Sequence, residues 1–171
     1  MENMTLKQRF SLLILGFTAA AFGGWCYEEI CVYVLYGQIV NRGMLHLTLC
    51  PIYGFGAWGL YLLLYRVRNK PLFFLLSTAI ASAFEYGCAL LLETVFHRRF
   101  WSYEGWLLSV HDRISLISSL IFGVLAIFFA GCIVPFLGKR VRSGRENLWF
   151  AASLVILAVI TGDFLLVLRN Y

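Results

Sequence analysis

Residues 114–137, ISLISSLIFGVLAIFFAGCIVPFL, carry no charged side chain, and four further apolar runs share the chain with them. A run of about 20 apolar residues crosses the roughly 30 Å hydrocarbon core of a bilayer as a helix. Hydrocarbon offers backbone groups no hydrogen-bond partner, so only helices and closed barrels survive there. The ten-residue alternating strands of a barrel are missing. The sequence therefore predicts an all-α, polytopic helical membrane protein with about five transmembrane helices, over 11–36, 47–65, 71–96, 114–137 and 148–168. An interfacial segment, 97–113, joins the third span to the fourth. The 171 residues read as a single integral membrane domain, 1–171, without an internal repeat.

Composition points the same way. The chain is 61% hydrophobic and 13% charged, against about 25% charged in soluble domains. A net charge of +5 would suggest nucleic acid in a soluble protein. Here the bases sit in short loops between apolar runs, where they set orientation. Nucleic acid is excluded as a partner, and the lipid bilayer is the first one expected. Cys26, Cys31, Cys50, Cys88 and Cys132 form no CxxC or zinc-finger spacing. Lys7 and Arg9 precede an apolar run in which Ala19, Ala20 and Ala21 mimic a cleavage site, but the run continues past them. It reads as a retained first span.

Lys and Arg fix the expected topology. With the N-terminus cytoplasmic, the inner segments hold nine bases: Lys7, Arg9, Arg66, Arg68, Lys70, Lys139, Arg140, Arg142 and Arg145. The outer segments hold five: Arg42, Arg98, Arg99, Arg113 and Arg169. The expectation is a multi-pass protein of the cytoplasmic membrane with its C-terminus outside. At 1.5 Å per residue, Glu85 then lies about 21 Å along the third span and Asp163 about 22 Å along the fifth, both in the outer half. Seven of the nine acidic residues and all three histidines fall on that side. Insertion alone does not require this clustering. It predicts an outward-facing polar, charged cavity.

Glu85 is the sharpest member, with apolar residues on both sides. A carboxylate in hydrocarbon costs at least about 2.5–3.5 kcal/mol and so faces the bundle interior with a partner. Arg42 and Arg113 are the bases in reach. Glu28 and Glu29 point about 100° apart on a helix; one is expected to face the bundle and the other the interface. Asn41, Arg42 and Gly43 form a turn, with Arg42 a fork for carboxylate or phosphate. Pro51 suits a helix start, and Tyr53 would aim its hydroxyl at the carboxylates. Phe100, Trp101, Tyr103 and Trp106 fit an interfacial belt or a short lid over the site. Glu93 and His97, four apart, share a helix face; with Glu28 they make the lesser alternative of a divalent-metal site. No P-loop, GxSxG, HExxH or dinucleotide fingerprint is present. That points away from an enzyme and to no cofactor.

Several stretches together resemble one family. They are GWCYE (24–28), NRGML (41–45), CPIYGFG (50–56), EYGCALLLETVF (85–96), FWSY (100–103), DRISL (112–116) and FGVL (122–125), with a late Pro135. In order and spacing they resemble the type IV ABC-transporter family, the CmpB-like bacterial inner-membrane proteins, from about residue 24 to 137. The family tends to have Trp-Asp-Tyr where this chain has Trp101-Ser102-Tyr103, and Asn-Gly-Arg where it has His111-Asp112-Arg113. The resemblance implies Glu28, Asn41, Arg42, Pro51, Tyr53, Glu85, Glu93, Trp101, Tyr103 and Arg113 as motif positions; all but Pro51 are taken as substrate-binding candidates. The resemblance bears on the site; the polar, charged, outward-facing cavity among five spans, without a catalytic signature, reads as a permease-like transporter component or a stand-alone carrier. ATP would have to come through a separate ATPase on the loops 66–70 and 138–147, and a second membrane subunit or a homodimer would complete the path. The alternative is an outer-leaflet lipid-acting enzyme or a lipid- or metal-binding membrane protein.

Overall fold

The computed structural model describes residues 4–38 and 45–169. Its elements are all helical: α1 Leu6–Tyr36, α2 Pro51–Leu64, α3 Lys70–Phe96, α4 Leu116–Phe128, α5 Val134–Val141 and α6 Glu146–Arg169. A π-helical turn, Phe129–Ile133, joins α4 to α5, so that α4 and α5 make one apolar rod over Leu116–Val141. Pro135, in the first turn of α5, has no N–H to give the Gly131 carbonyl, and a helix loosens where that bond is missing.

The helix ends follow the local chemistry. Thr5 caps α1 through a capping box with Gln8, and Gly37 ends it in the left-handed conformation at φ 64°. Asn69 accepts the Leu72 N–H at the start of α3, with Pro71 in its first turn. Ser115 and Ser118 cap α4 reciprocally.

Four of these rods are long and apolar enough to cross a membrane: Leu6–Val34, Lys70–Phe96, Leu116–Val141 and Glu146–Arg169. The expected second span differs. Its helix starts at Pro51, not at 47, and its 14 residues rise only about 21 Å. Leu45–Cys50 ahead of it is not helical.

The chain sorts into two compact units, Met1–Trp58 with Cys132–Tyr171, and Gly59–Gly131. In the first, α1 and α6 run side by side from the same end. Thr5 Oγ1 donates to Glu146 Oε1 (2.6 Å), Lys7 Nζ donates to Asn147 Oδ1 (2.9 Å), and the Phe10 and Phe150 rings meet edge to face. Further along, Ala21, Leu45, Leu49 and Val167 form the core. The start of α2 crosses α1 in the opposite direction. Trp58 lies on Gly16, Gly54 on Phe17, and Tyr53 on Gly24. Each large ring meets a residue without a side chain, the small-against-large packing that lets helices approach in lipid.

In the second unit α3 packs antiparallel on α4. Gly123 fits against Thr78 and Phe74. Ser82 Oγ donates to Ser119 Oγ at 2.6 Å, and Ser77 satisfies its hydroxyl on the Phe73 carbonyl. The buried stripe of α3 is Phe73, Ser77, Ala81, Glu85 and Ala89, one residue every four. The carboxylate at 85 thus sits on the packed face, among small side chains.

Candidate functional site

Each unit holds one carboxylate of a long helix on a tyrosine from a following segment. In the first unit, the Tyr53 hydroxyl donates to Glu28 Oε1 at 2.7 Å. Gly24 and Glu28 lie four apart, on one face of α1. The absent side chain at 24 lets the Tyr53 ring lie flat enough for its hydroxyl to reach 28. Tyr27 adds an edge-to-face contact with the same ring. Of the adjacent pair, Glu29 is the more buried, at 9% exposure. Glu28 is partly buried and meets Tyr53 of α2, while Glu29 is buried.

At the other end of α6 from Glu146, Asp163 anchors the non-helical lead-in to α2. Its Oδ2 accepts the Leu47 N–H (3.1 Å) and its Oδ1 meets His46 Nδ1 (2.9 Å). The Leu49 N–H goes to the Leu47 carbonyl, and the Cys50 N–H to the Ala21 carbonyl of α1. These bonds satisfy the N–H groups of Leu47, Leu49 and Cys50 outside a helix. Asp163→Ala is expected to leave the Leu47 N–H without its acceptor, at a cost of about 1–3 kcal/mol. His46→Ala removes only an exposed partner, worth little. Thermal melts in detergent should show the first variant well below the second; equal midpoints would show that the backbone bond carries nothing.

In the second unit, Glu85 is 7% exposed and Tyr103 is 8% exposed. The Tyr103 hydroxyl donates to Glu85 Oε1 at 2.8 Å. Tyr103 therefore belongs to the buried site, not to an interfacial belt. Arg113, expected beside Glu85, instead donates from Nη2 to Glu93 Oε2 at 2.6 Å. Arg99 approaches the other Glu93 oxygen at 3.3 Å and Asp112 at 3.6 Å. The Glu93 hydrogen bond raises the Arg113 pKa above its ordinary value, so this base stays charged. The Trp101 indole N–H donates to the Arg113 carbonyl (3.1 Å). The Arg113 guanidinium lies over the Tyr86 ring, whose hydroxyl meets His111 Nδ1 at 2.8 Å.

The connector reaches this geometry by unusual backbone. His97, Leu108, His111 and Asp112 all have positive φ, between 51° and 58°, a region that L residues occupy at some cost. The Asp112 carbonyl accepts the Tyr103 N–H (2.9 Å) and closes the loop. The departure from the family's Asn-Gly-Arg thus falls where the backbone is left-handed.

Of the nine expected binding residues, the first unit pairs Glu28 with Tyr53, and the second gathers Glu85, Glu93, Trp101, Tyr103 and Arg113. Asn41 and Arg42 lie outside the described residues. His46, Asp163, Tyr86, His111 and Arg99 also take part. Asp163 carried the signal that could have found the first of them, since an acid within a span requires a partner. Two arginines approach Glu93, and among the described residues no three His, Cys, Asp or Glu side chains group to hold an ion.

Long apolar helices with partnered carboxylates inside them define a multi-span helical membrane protein. The family model described as Putative ABC-transporter type IV matches residues 15–168, and the chain belongs to that family. The match extends beyond the motif-bearing region 24–137 at both ends. No match to this chain was found among the curated proteins or among the solved structures.

Proposed function

We propose that the chain is a permease-like membrane component of a transporter, with its N-terminus cytoplasmic and its C-terminus outside. The observation that carries this reading is Glu85. A 7% exposed carboxylate in a candidate span, held by a tyrosine of the connector, is costly to keep unless it handles an ion, a proton or a polar substrate. Glu28 with Tyr53 repeats the arrangement in the other unit.

Charge supports five crossings, although α2 is short. With α2 crossing, nine bases lie inside and five outside. Were it to return to the same side, six bases (Lys7, Arg9, Arg98, Arg99, Arg113, Arg169) would stand against the other eight, a weaker bias in either orientation than nine against five. The non-helical residues 45–50 lead into α2 and are bonded to α6 and α1. A span broken in this way is what many transporters use to expose backbone at a binding site.

A transporter of this family type without a P-loop of its own requires a separate ATPase. Native mass spectrometry of the protein, extracted gently from its own membranes at its natural abundance, tests this. The expected result is a stoichiometric ATP-binding protein, with or without a second membrane subunit. A lone chain or homodimer carrying a lipid or metal mass would replace this reading with an outer-leaflet binding protein or enzyme.

A further inference from the structure

The first unit gathers positive charge at the end where α1 and α6 both begin. Lys7 and Arg9 come from the first turns of α1; Lys139 and Arg140 end α5; Arg142 and Arg145 lie in the turn before α6. All six are exposed. The segments are tied together by Thr5 to Glu146 and by Lys7 to Asn147. Among the described residues of this end the acid is Glu146, and it accepts from Thr5.

Orientation alone would need bases on this side. It would not need them joined across 140 residues of chain into one surface, nor placed beside exposed apolar groups. Leu6 is 84% exposed, Leu148 56% and Phe136 58%, and Arg140 lies over the Phe136 ring. A soluble anion has no use for those apolar neighbours; a molecule with a phosphate head and hydrocarbon tails matches both. We propose that this end of the unit binds the headgroup of an anionic phospholipid, its acyl chains lying along the starts of α1 and α6. The assignment rests on the membrane placement of the chain and not on the transporter reading, so either can fail without the other.

The test is native mass spectrometry of the purified full chain in mild detergent, with phosphatidylglycerol and phosphatidylcholine added in equal amounts. Phosphatidylglycerol should be retained in preference. Arg140→Gln/Arg142→Gln/Arg145→Gln should lower that retention about tenfold or more, as expected when several bases near a headgroup are removed. Lys7→Gln/Arg9→Gln, from the other segment, should lower it about fivefold. Arg66→Gln/Arg68→Gln/Lys70→Gln removes as much charge from the other unit and should leave it unchanged. Equal retention of the two lipids, an equal fall in both triple variants, or an effect confined to one of the two segments would overturn the proposal. So would displacement of the lipid by excess inorganic phosphate. Thermal midpoints confirm that each variant is folded before its lipid is counted.

Discussion

Glu93→Ala and Arg113→Ala are each expected to lower the thermal midpoint of the detergent-solubilised protein by roughly 5–10 °C, whereas Glu93→Leu/Arg113→Met together recovers most of the loss. The two side chains meet at 2.6 Å and are only 20% and 16% exposed. Taking away one leaves the other charged and largely out of water, which is the expensive state. Taking away both, with apolar groups of similar size, removes that penalty along with the attraction. Arg99 softens the loss of Arg113, because it also approaches Glu93. At 48% exposure it is too hydrated to replace it, and Arg99→Ala should shift the midpoint by no more than about a degree or two. The comparison also separates structure from function. If the pair only clamps the connector onto α3, the double variant keeps its protein partners in native mass spectrometry. If Arg113 also serves a ligand, the double variant melts normally but has lost the activity. A double variant as unstable as the singles would refute the pairing argument.

The sequence showed the four long spans because charge is sparse in them; long apolar stretches leave a helix in lipid little alternative. Glu28, Tyr53 and Glu85 were legible because a polar group within a span must be partnered, whereas Tyr103, in the connector, read as part of an interfacial belt or lid. Three features were not legible. Leu45–Cys50 is mainly apolar, like the start of α2, and hydropathy cannot tell a bent apolar stretch from a helical one; only Pro51, fit for a helix start, marked the boundary. The choice of Glu93 over Glu85 by Arg113 depends on four non-glycine residues at positive φ, which no pattern announces. The burial of Glu29 beside Glu28 depends on how α1 is rotated, and a helix apolar on all sides does not encode its own rotation.

Gly24→Ala and Gly23→Ala, one residue apart, are expected to behave in opposite ways. A Cβ on Gly24 would lie 2.1 Å from Cγ and 2.6 Å from Cβ of Tyr53. Those atoms are the root of the side chain, close to the α2 backbone, so the ring cannot swing aside at its tip. Either α2 moves off α1 or Tyr53 abandons its rotamer, and both break the 2.7 Å bond to Glu28. The expected cost is about 1–3 kcal/mol. A Cβ on Gly23 meets nothing within 4 Å, and alanine there favours the helix over glycine by up to about 1 kcal/mol. A double-mutant cycle identifies the cause. Tyr53→Phe should destabilise the parent protein by removing the hydroxyl that Glu28 accepts, yet change little in the Gly24→Ala background, where that bond is already lost. If Gly24→Ala is tolerated as well as Gly23→Ala, or if Tyr53→Phe costs the same in both backgrounds, the glycine does not hold the tyrosine on the carboxylate. The GWCYE stretch would then owe its glycine and glutamate to separate causes.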